Sequence, residues 1–400
     1  MRKDPLGYLS DELASLKEQG LYRRLRVLDD EQRAHTSIDH TSVVNLSSNN
    51  YLGLTTHPKL RERAIEAIKA FGVGSGSVRT IAGTMAIHME LERKLAAFKK
   101  TEAAVVFQSG FTANAGTVSS ILGREDVIVS DELNHASIID GARLSRATIK
   151  VFPHRDADAA RRILQELPRG QRALVITDGV FSMDGDLGAL PALCDVADEF
   201  NAIMMVDDAH ASGVFGQHGR GTVDHFGLHG RVDVQVGTLS KAIGALGGYV
   251  AGSKALIEFL WHRARPFLFS TSHPPSVAAT CLAALELLED EPALIERLWE
   301  NTRFFKGGLE ALGFNTGASE SPITPVIVGD AALAMTLSDR LFEAGVFAQG
   351  IGFPTVARGK ARVRTIVTAT HTKDELQFAL DTFEKIGRQL GILGGPPANR

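Results

Sequence analysis

The tightest constraint on what this chain can fold into is a repeated layout: a short apolar run that stops abruptly in a polar cluster. Such runs occupy residues 103–107, 126–129, 149–152, 173–177, 203–206, 232–236 and 249–251, and most of the stretches between them carry helical periodicity. Runs this short and this apolar suit strands buried on both faces, which predicts an α/β architecture with a mostly parallel sheet covered by helices. In such sheets ligands collect outside the carboxyl ends of the strands, so the polar clusters that follow the runs are where chemistry is expected.

The flanks read differently. Residues from about Pro5 to Leu28 suggest a helical arm, and 55–71 and 87–99 suggest further helices ahead of the sheet. After Pro274-Pro275 the order changes: helices over 276–289 and 292–312, short strands over 325–328 and 362–367, and helices over 331–344 and 373–390. The expected partition is an amino-terminal arm and segment (1–54), a large domain (55–285) and a smaller carboxyl-terminal α+β domain (286–400). In the last helix Leu376, Leu380, Phe383, Ile386 and Leu390 fall near one face, a core stripe. The tail 394–400 reads as a frayed end.

With 43 Lys+Arg against 47 Asp+Glu, the net charge of −4 provides no basic field for nucleic acid or anionic membranes, and a small-molecule partner is expected. Two cysteines, Cys194 and Cys281, sit in apolar helical patterns and suggest neither a disulfide framework nor a zinc site. The start, Met1-Arg2-Lys3-Asp4-Pro5, has no apolar signal core, and no run reaches the ~18 apolar residues of a membrane span, so a cytoplasmic protein is expected.

Two clusters together specify a chemistry. The run 203–206 ends in Asp207-Asp208-Ala209-His210, and 232–236 ends in Gly237-Thr238-Leu239-Ser240-Lys241. Either residue alone reads as readily as a surface lysine or a helix-capping aspartate. Delivered together to one sheet edge, an amine and a carboxylate suit pyridoxal 5'-phosphate (PLP), whose aldehyde a lysine holds as a Schiff base and whose ring nitrogen a carboxylate keeps protonated. A charge pair about 4 Å apart, worth roughly 4 kcal/mol at an effective dielectric near ~20, is enough to fix that proton.

Other strand ends offer companions. Ser109-Gly110-Phe111-Thr112-Ala113-Asn114 opens a helical pattern whose first N–H groups suit a phosphate, with Gly110 permitting close approach; Thr238 and Ser240 are further phosphate candidates. His135, in Asn134-His135-Ala136-Ser137, presents a flat ring able to stack on a pyridine, and His210 lies within reach of the cofactor's phenolic oxygen if Asp207 holds the ring nitrogen. Ser182, in Thr177-Asp178-Gly179-Val180-Phe181-Ser182-Met183-Asp184-Gly185, is a hydroxyl suited to the same oxygen or to His210. Arg362-Val363-Arg364 alternates in a strand, so both guanidiniums share a face and either can meet a carboxylate bidentately. Gly72-Val73-Gly74-Ser75-Gly76 has the composition of a dinucleotide loop but follows a helical stretch, which suits an active-site or interface loop instead.

Asn49-Asn50-Tyr51-Leu52-Gly53-Leu54, Asn134-His135-Ala136-Ser137, the 178–185 motif, Asp207-Asp208-Ala209-His210 and Gly237-Thr238-Leu239-Ser240-Lys241 together resemble the α-oxoamine synthases, PLP enzymes of fold type I, over about 20–393. The resemblance implies condensation of an amino acid with an acyl-CoA by a homodimer whose sites lie at the subunit interface. It implies that Lys241 is the Schiff-base lysine and proton carrier, Asp207 the ring-nitrogen partner, His135 the stacking ring, and His210 and Ser182 the neighbours of the phenolic oxygen. Arg364 matches the carboxylate anchor, Asn50 a substrate-side position, and Gly110, Phe111 and Thr238 the phosphate contacts. Ser270 and Thr271 match hydroxyls that reach the neighbouring subunit's phosphate. Within the family, residues 134–141, 265–270 and 386–391 are most similar to glycine C-acetyltransferase, so glycine and acetyl-CoA are the expected substrates. The other reading kept open is 8-amino-7-oxononanoate synthase, which joins alanine to a long acyl donor. An aminotransferase, which shares the fold and the lysine, is the rival class.

Overall fold

The computed structural model describes residues 4–18, 22 and 24–394. The first three residues and the end of the tail, 395–400, lie outside these, so the frayed-end expectation bears on Gly394 alone. Among the described residues of the amino-terminal arm, Tyr8–Glu18 are helical, and residues 19–21 and 23 lie outside the described residues. Beyond it the chain runs alongside a hairpin: Leu28 bridges to Ile38, and the Asp39 N–H donates to Val27 O. The hairpin itself, β1 (His35–Ile38) and β2 (Thr41–Asn45), carries no strong apolar run and was not expected from the sequence.

All the apolar runs of the central region are strands of one seven-stranded sheet: β3 (Ala103–Phe107), β4 (Val127–Asp131), β5 (Thr148–Phe152), β6 (Ala173–Asp178), β7 (Ile203–Asp207), β8 (Val234–Thr238) and β9 (Gly248–Gly252). Their order is β3-β9-β8-β7-β6-β4-β5, parallel throughout except for β9, which runs antiparallel to both neighbours. Alternation divides the strand side chains between two cores. Leu174, Ile176, Met205 and Val236 pack under helices Gly110–Ile121 and Ala136–Ser145. Val175, Met204 and Val206 pack under Ala157–Gln165 and Leu190–Phe200. Both faces are covered, which is why the strands read as unbroken apolar runs.

The carboxyl-terminal region builds a second antiparallel sheet from β10 (Ile323–Gly329), β12 (Gln349–Ile351) and β13 (Ala361–Ile366), ordered β10-β13-β12. A short strand, β11 (Val346–Phe347), pairs in parallel with β2, so the amino-terminal segment hydrogen-bonds directly to the carboxyl-terminal region across the expected boundary at residue 54. Helices Ala331–Glu343 and Lys373–Gln389 cover this part, and Leu376, Leu380, Phe383 and Ile386 are buried as their spacing predicted. Cys194 and Cys281 are buried free thiols. No described helix is long and apolar enough to cross a membrane.

Behind the sheet edge lies a wholly buried ion pair. Lys99 Nζ donates to Asp208 Oδ2 (2.9 Å) and to Arg220 O (2.5 Å), while Asp208 Oδ1 accepts the Thr222 hydroxyl (2.5 Å). Both charged side chains are 0% exposed. Removing one member leaves an uncompensated charge in the core, so Lys99→Ala is expected to destabilise the protein by about 3 to 5 kcal/mol. Urea unfolding checks this as a lower midpoint at unchanged slope.

Candidate active site

Four adjacent strands, β8, β7, β6 and β4, end side by side, and the segments after them supply most of the predicted residues. Asp178 and Asp207 are register partners across β6 and β7. Asp207 is buried, and its recorded donors are neutral: Asn114 Nδ2 to Oδ2 (2.6 Å) and the Ala209 N–H to Oδ1 (2.8 Å). Asp178 Oδ2 accepts the His135 N–H (3.0 Å). Burial, and then the neighbouring Asp207 charge, raise the Asp178 carboxyl well above its ordinary range, so two buried carboxyls side by side carry less than two charges.

Lys241 follows β8 by three residues and is half-buried, with no ion-pair partner within 4 Å among the described residues. Burial lowers its amine to about 8, outweighing Asp207 and Asp178, which pull the other way. At pH 7 about a tenth is therefore the free base, the form that attacks an aldehyde or accepts a proton, far more than for an ordinary lysine. His210 is buried and pairs through Nδ1 with the Tyr51 hydroxyl (2.7 Å); burial, then the positive charges of Lys241 and Arg364, hold its imidazole well below the usual value. Burial likewise raises the Tyr51 phenol, so both partners are neutral.

The phosphate candidates converge. Ser109 caps helix Gly110–Ile121, its Oγ accepting the Thr112 N–H (3.1 Å), and Ser109 O accepts the Ala113 N–H. That leaves the N–H groups of Gly110 and Phe111 at the open helix end. A Cβ on Gly110 would stand 3.4 Å from Thr238 Cβ, filling the space between the helix start and the Thr238 hydroxyl. Thr238 Oγ1 pairs with Ser240 Oγ at 2.7 Å and donates to Gly247 O at 2.9 Å, a hydrogen it would have to redirect to serve a phosphate. These donors, the unpaired amine and the buried carboxylate fit PLP's phosphate, aldehyde and ring nitrogen.

The two arginines of β13 separate. Arg362 is bound through Nη1 to Asp184 Oδ1 (2.5 Å) and Met183 O (3.0 Å) and through Nε to Lys360 O (3.0 Å), a structural use. Arg364 donates only to Ser182 O (2.9 Å) among recorded hydrogen bonds and keeps its other donors for a ligand. Ser182 thus contributes its carbonyl to the arginine; no recorded bond joins its hydroxyl to His210. Asn50 spends its amide on Thr55 Oγ1 (2.6 Å), Gln32 O (3.2 Å) and the Thr55 N–H (3.3 Å), while its neighbour Asn49 holds a buried Oδ1 without a partner. Ser270 and Thr271 lie after helix Arg265–Leu268, where Thr271 O accepts Gln108 Nε2 (2.8 Å); no recorded bond brings their hydroxyls to the Gly110 helix start of the same chain. Residues the motif reading passed over are Tyr51, Asn114, Ser137 and Asp178, all inside quoted motifs but with roles set by long-range partners.

The loop that carries Ser182 and Asp184 is clamped by His154, whose ring pairs with Asp131 Oδ1 (3.1 Å) and Asp186 Oδ2 (2.8 Å). Arg155 extends the clamp to Glu320 (3.3 Å) in the carboxyl-terminal region.

The family described as aminotransferase class I and II matches residues 41–383. Among curated relatives, "8-amino-7-oxononanoate synthase" of Symbiobacterium thermophilum is 62% identical over 96% of this chain and 99% of its own, and "8-amino-7-oxononanoate synthase 1" of Bacillus subtilis is 56% identical over 96% and 98%. Among solved structures, a serine palmitoyltransferase from S. paucimobilis with bound PLP superposes with a TM-score of 0.92 at 33% identity, covering 98% of this chain and 100% of that one. The chain belongs to the α-oxoamine synthases. It is a PLP-dependent C-acyltransferase of fold type I, as its motifs implied. The finer expectation, glycine with acetyl-CoA, is overturned: relatives at 52–62% identity over nearly the full length are named 8-amino-7-oxononanoate synthases. The segments that suggested glycine C-acetyltransferase include the His135 motif, which also carried the likeness to the family as a whole.

Two measurements test the electrostatics of this synthase. Competitive acetylation of the apoenzyme, read by mass spectrometry of the Lys241 peptide, should give a midpoint near 8, the amine being protonated and inert below it; a midpoint near the ordinary 10.5 would contradict the burial argument. For His154, burial opposes the charge, but the hydrogen bonds to Asp131 and Asp186 outweigh it and raise the ring to about 9. Its contribution to stability is thus complete below about 6.5, the unfolded value, and lost as pH rises through about 9. His154→Gln should flatten that part of the pH–stability curve.

Proposed function

We propose that the synthase condenses alanine with a pimeloyl thioester to give 8-amino-7-oxononanoate, CO2 and the free thiol. The observation that carries this reading is the 62% identity, end to end, with a relative of that name. The product name specifies the bond-making. Carbons 8 and 9 are those of alanine after loss of its carboxyl, and carbons 1 to 7 form a seven-carbon diacid. The new bond joins C7 to C8, the carbon–sulfur bond breaks, and the carboxylate leaves as CO2.

The residues divide this work. Gly110 and Phe111 N–H groups and the Thr238 hydroxyl would hold the PLP phosphate, Lys241 its aldehyde carbon, Asp207 its ring nitrogen, His135 its ring face, and His210 and the Ser182 region its phenolic side. Bound there, the cofactor supplies an electron sink for the pair left at the amino acid α-carbon. Arg364, with free donors beside the Ser182 carbonyl, binds the alanine carboxylate and fixes which α-carbon bond faces the ring. Lys241, poised near pH 8, takes the α-proton and can return one to the new C8. Neutral His210 and protonated Tyr51 keep further positive charge away from that proton transfer. Asn49, with its unpartnered Oδ1, is better placed than Asn50 to receive a substrate donor.

The working unit on this reading is a homodimer. Val73, Ile81 and Phe269 are 79%, 83% and 72% exposed, and Phe269 directly precedes Ser270 and Thr271. An apolar surface beside those hydroxyls suits a second copy that brings them to its partner's phosphate.

Thiol release should be followed with alanine, glycine and serine, each against pimeloyl-, acetyl- and palmitoyl-CoA. Alanine with pimeloyl-CoA should dominate, with 8-amino-7-oxononanoate identified by mass; a preference for any other pair would overturn the proposal. Arg364→Lys, which keeps charge but loses the planar fork, should raise the KM for alanine about 10- to 100-fold.

A further inference from the structure

Asn114 and Ser137, which no motif reading assigned, form a continuous polar chain between Asp207 and His135. Close packing makes the chain possible. Helices Gly110–Ile121 and Ala136–Ser145 approach so tightly at Gly141 that a Cβ there would meet Ala115 Cα and Asn114 O, both at 3.1 Å. Asn114 and Ser137 are consequently 0% and 1% exposed and face each other, with Asn114 Nδ2 donating to Ser137 Oγ at 2.9 Å. The same nitrogen donates its other hydrogen to Asp207 Oδ2 at 2.6 Å.

Every proton in this chain can be placed. The Ser137 backbone N–H can only donate, and it points to His135 Nδ1 at 3.3 Å, where the imidazole caps its helix. His135 Nδ1 is therefore an acceptor and carries no hydrogen. Ser137 Oγ, 2.7 Å from the same nitrogen, must donate its hydroxyl hydrogen there. Its lone pair is then free to accept from Asn114, whose amide hydrogens are shared between Ser137 and Asp207. The direction runs one way, from the amide through the hydroxyl to the imidazole, and it leaves the ring's only N–H on Nε2.

We propose that Asn114 and Ser137 are positioning residues that lock His135 as the neutral Nε2–H tautomer, so that the stacking ring offers the substrate a hydrogen-bond donor rather than a second cation beside Lys241. Protonating Nδ1 would set its hydrogen against the Ser137 N–H and require the hydroxyl to turn away. The charged and titratable groups around the ring are Asp207 and Asp178 on the acidic side and Lys241 and His210 on the basic side. Burial and Lys241 disfavour the imidazolium, whereas Asp207 favours it. Asn114, by donating to Ser137 Oγ, turns the hydroxyl hydrogen away from itself and toward Nδ1. An oxygen acceptor, such as a substrate carboxylate or the acyl carbonyl, is the partner suited to the Nε2–H.

Imidazole 15N spectra of the dimeric protein labelled at histidine test this, with His135 assigned by its loss in His135→Gln. The wild type should show unprotonated Nδ1 and protonated Nε2. Ser137→Ala, which keeps the backbone N–H but loses the hydroxyl donor to Nδ1, should raise the ring's protonation midpoint by about one pH unit, a tenfold change. Asn114→Leu should move it in the same direction, and Ser137→Ala keeps the test available if that variant does not fold. A wild-type ring protonated at Nδ1, or a Ser137→Ala spectrum and midpoint identical to wild type, would overturn the proposal. The inference rests on the reaction proposed above for its purpose but not for its readout. Spectra recorded with and without PLP report the lock in either case, whereas a protein that bound no PLP would sink the reaction alone.

Discussion

The site turns on Asp207, a carboxyl buried beside a second, Asp178, with no cation in contact among the described residues. Burying an unpaired carboxylate is costly, and the usual remedy of a cation in contact would occupy the oxygens proposed to meet the ring nitrogen. The fold solves this with neutral donors: the Asn114 amide and the Ala209 N–H satisfy the oxygens without neutralising them. Asp178, its register partner on β6, yields, its carboxyl driven upward by burial and by Asp207. Directly behind, Asp208 does take a cation in contact, Lys99, and anchors the segment. Adjacent aspartates thus have opposite uses, one closed into an ion pair and one left available.

The carboxyl-terminal region is tied to this edge through arginines with equally divided tasks. Arg362 is consumed by Asp184 and Met183, which fixes β13 against the 178–187 loop. Arg364, two residues on and on the same face, is then held in place by a single carbonyl and keeps the rest of its fork for a ligand. The His154 clamp secures the same loop from the other side, between Asp131 and Asp186. The structural pair makes the free one precise, since an arginine with both forks unspoken for would lose more freedom on binding.

The sheet was legible in the sequence because both of its faces are covered, so each strand had to be apolar throughout; every run in 103–251 became a strand. The catalytic edge was legible for a related reason, as the polar residues stand where those runs stop. The hairpin β1–β2 and the short β11 and β12 were not: β2 and β11 are fixed by pairing with each other across some 300 positions, and the three-residue β12 by pairing with β13. Choosing Arg364 over Arg362 also needed the fold: alternation put both on one face, and only the position of Asp184 separates them. Asn114 and Ser137 look like ordinary helix residues in sequence, since their partners lie on other helices and strands, and it is the Gly141 contact that brings them together.

The overturned expectation of glycine and acetyl-CoA has a physical origin. The segments around Lys241, Asp207 and His135 carried the likeness to the family as a whole, so they say little about the substrate. A methyl group on the amino acid is worth only about 1 to 3 kcal/mol of discrimination in a pocket, and that is set by shape. Acyl length is likewise a matter of cavity and backbone course. Such preferences are distributed over many residues outside the motifs, which is why identity maintained across 96% of the chain outweighs the likeness of three short segments.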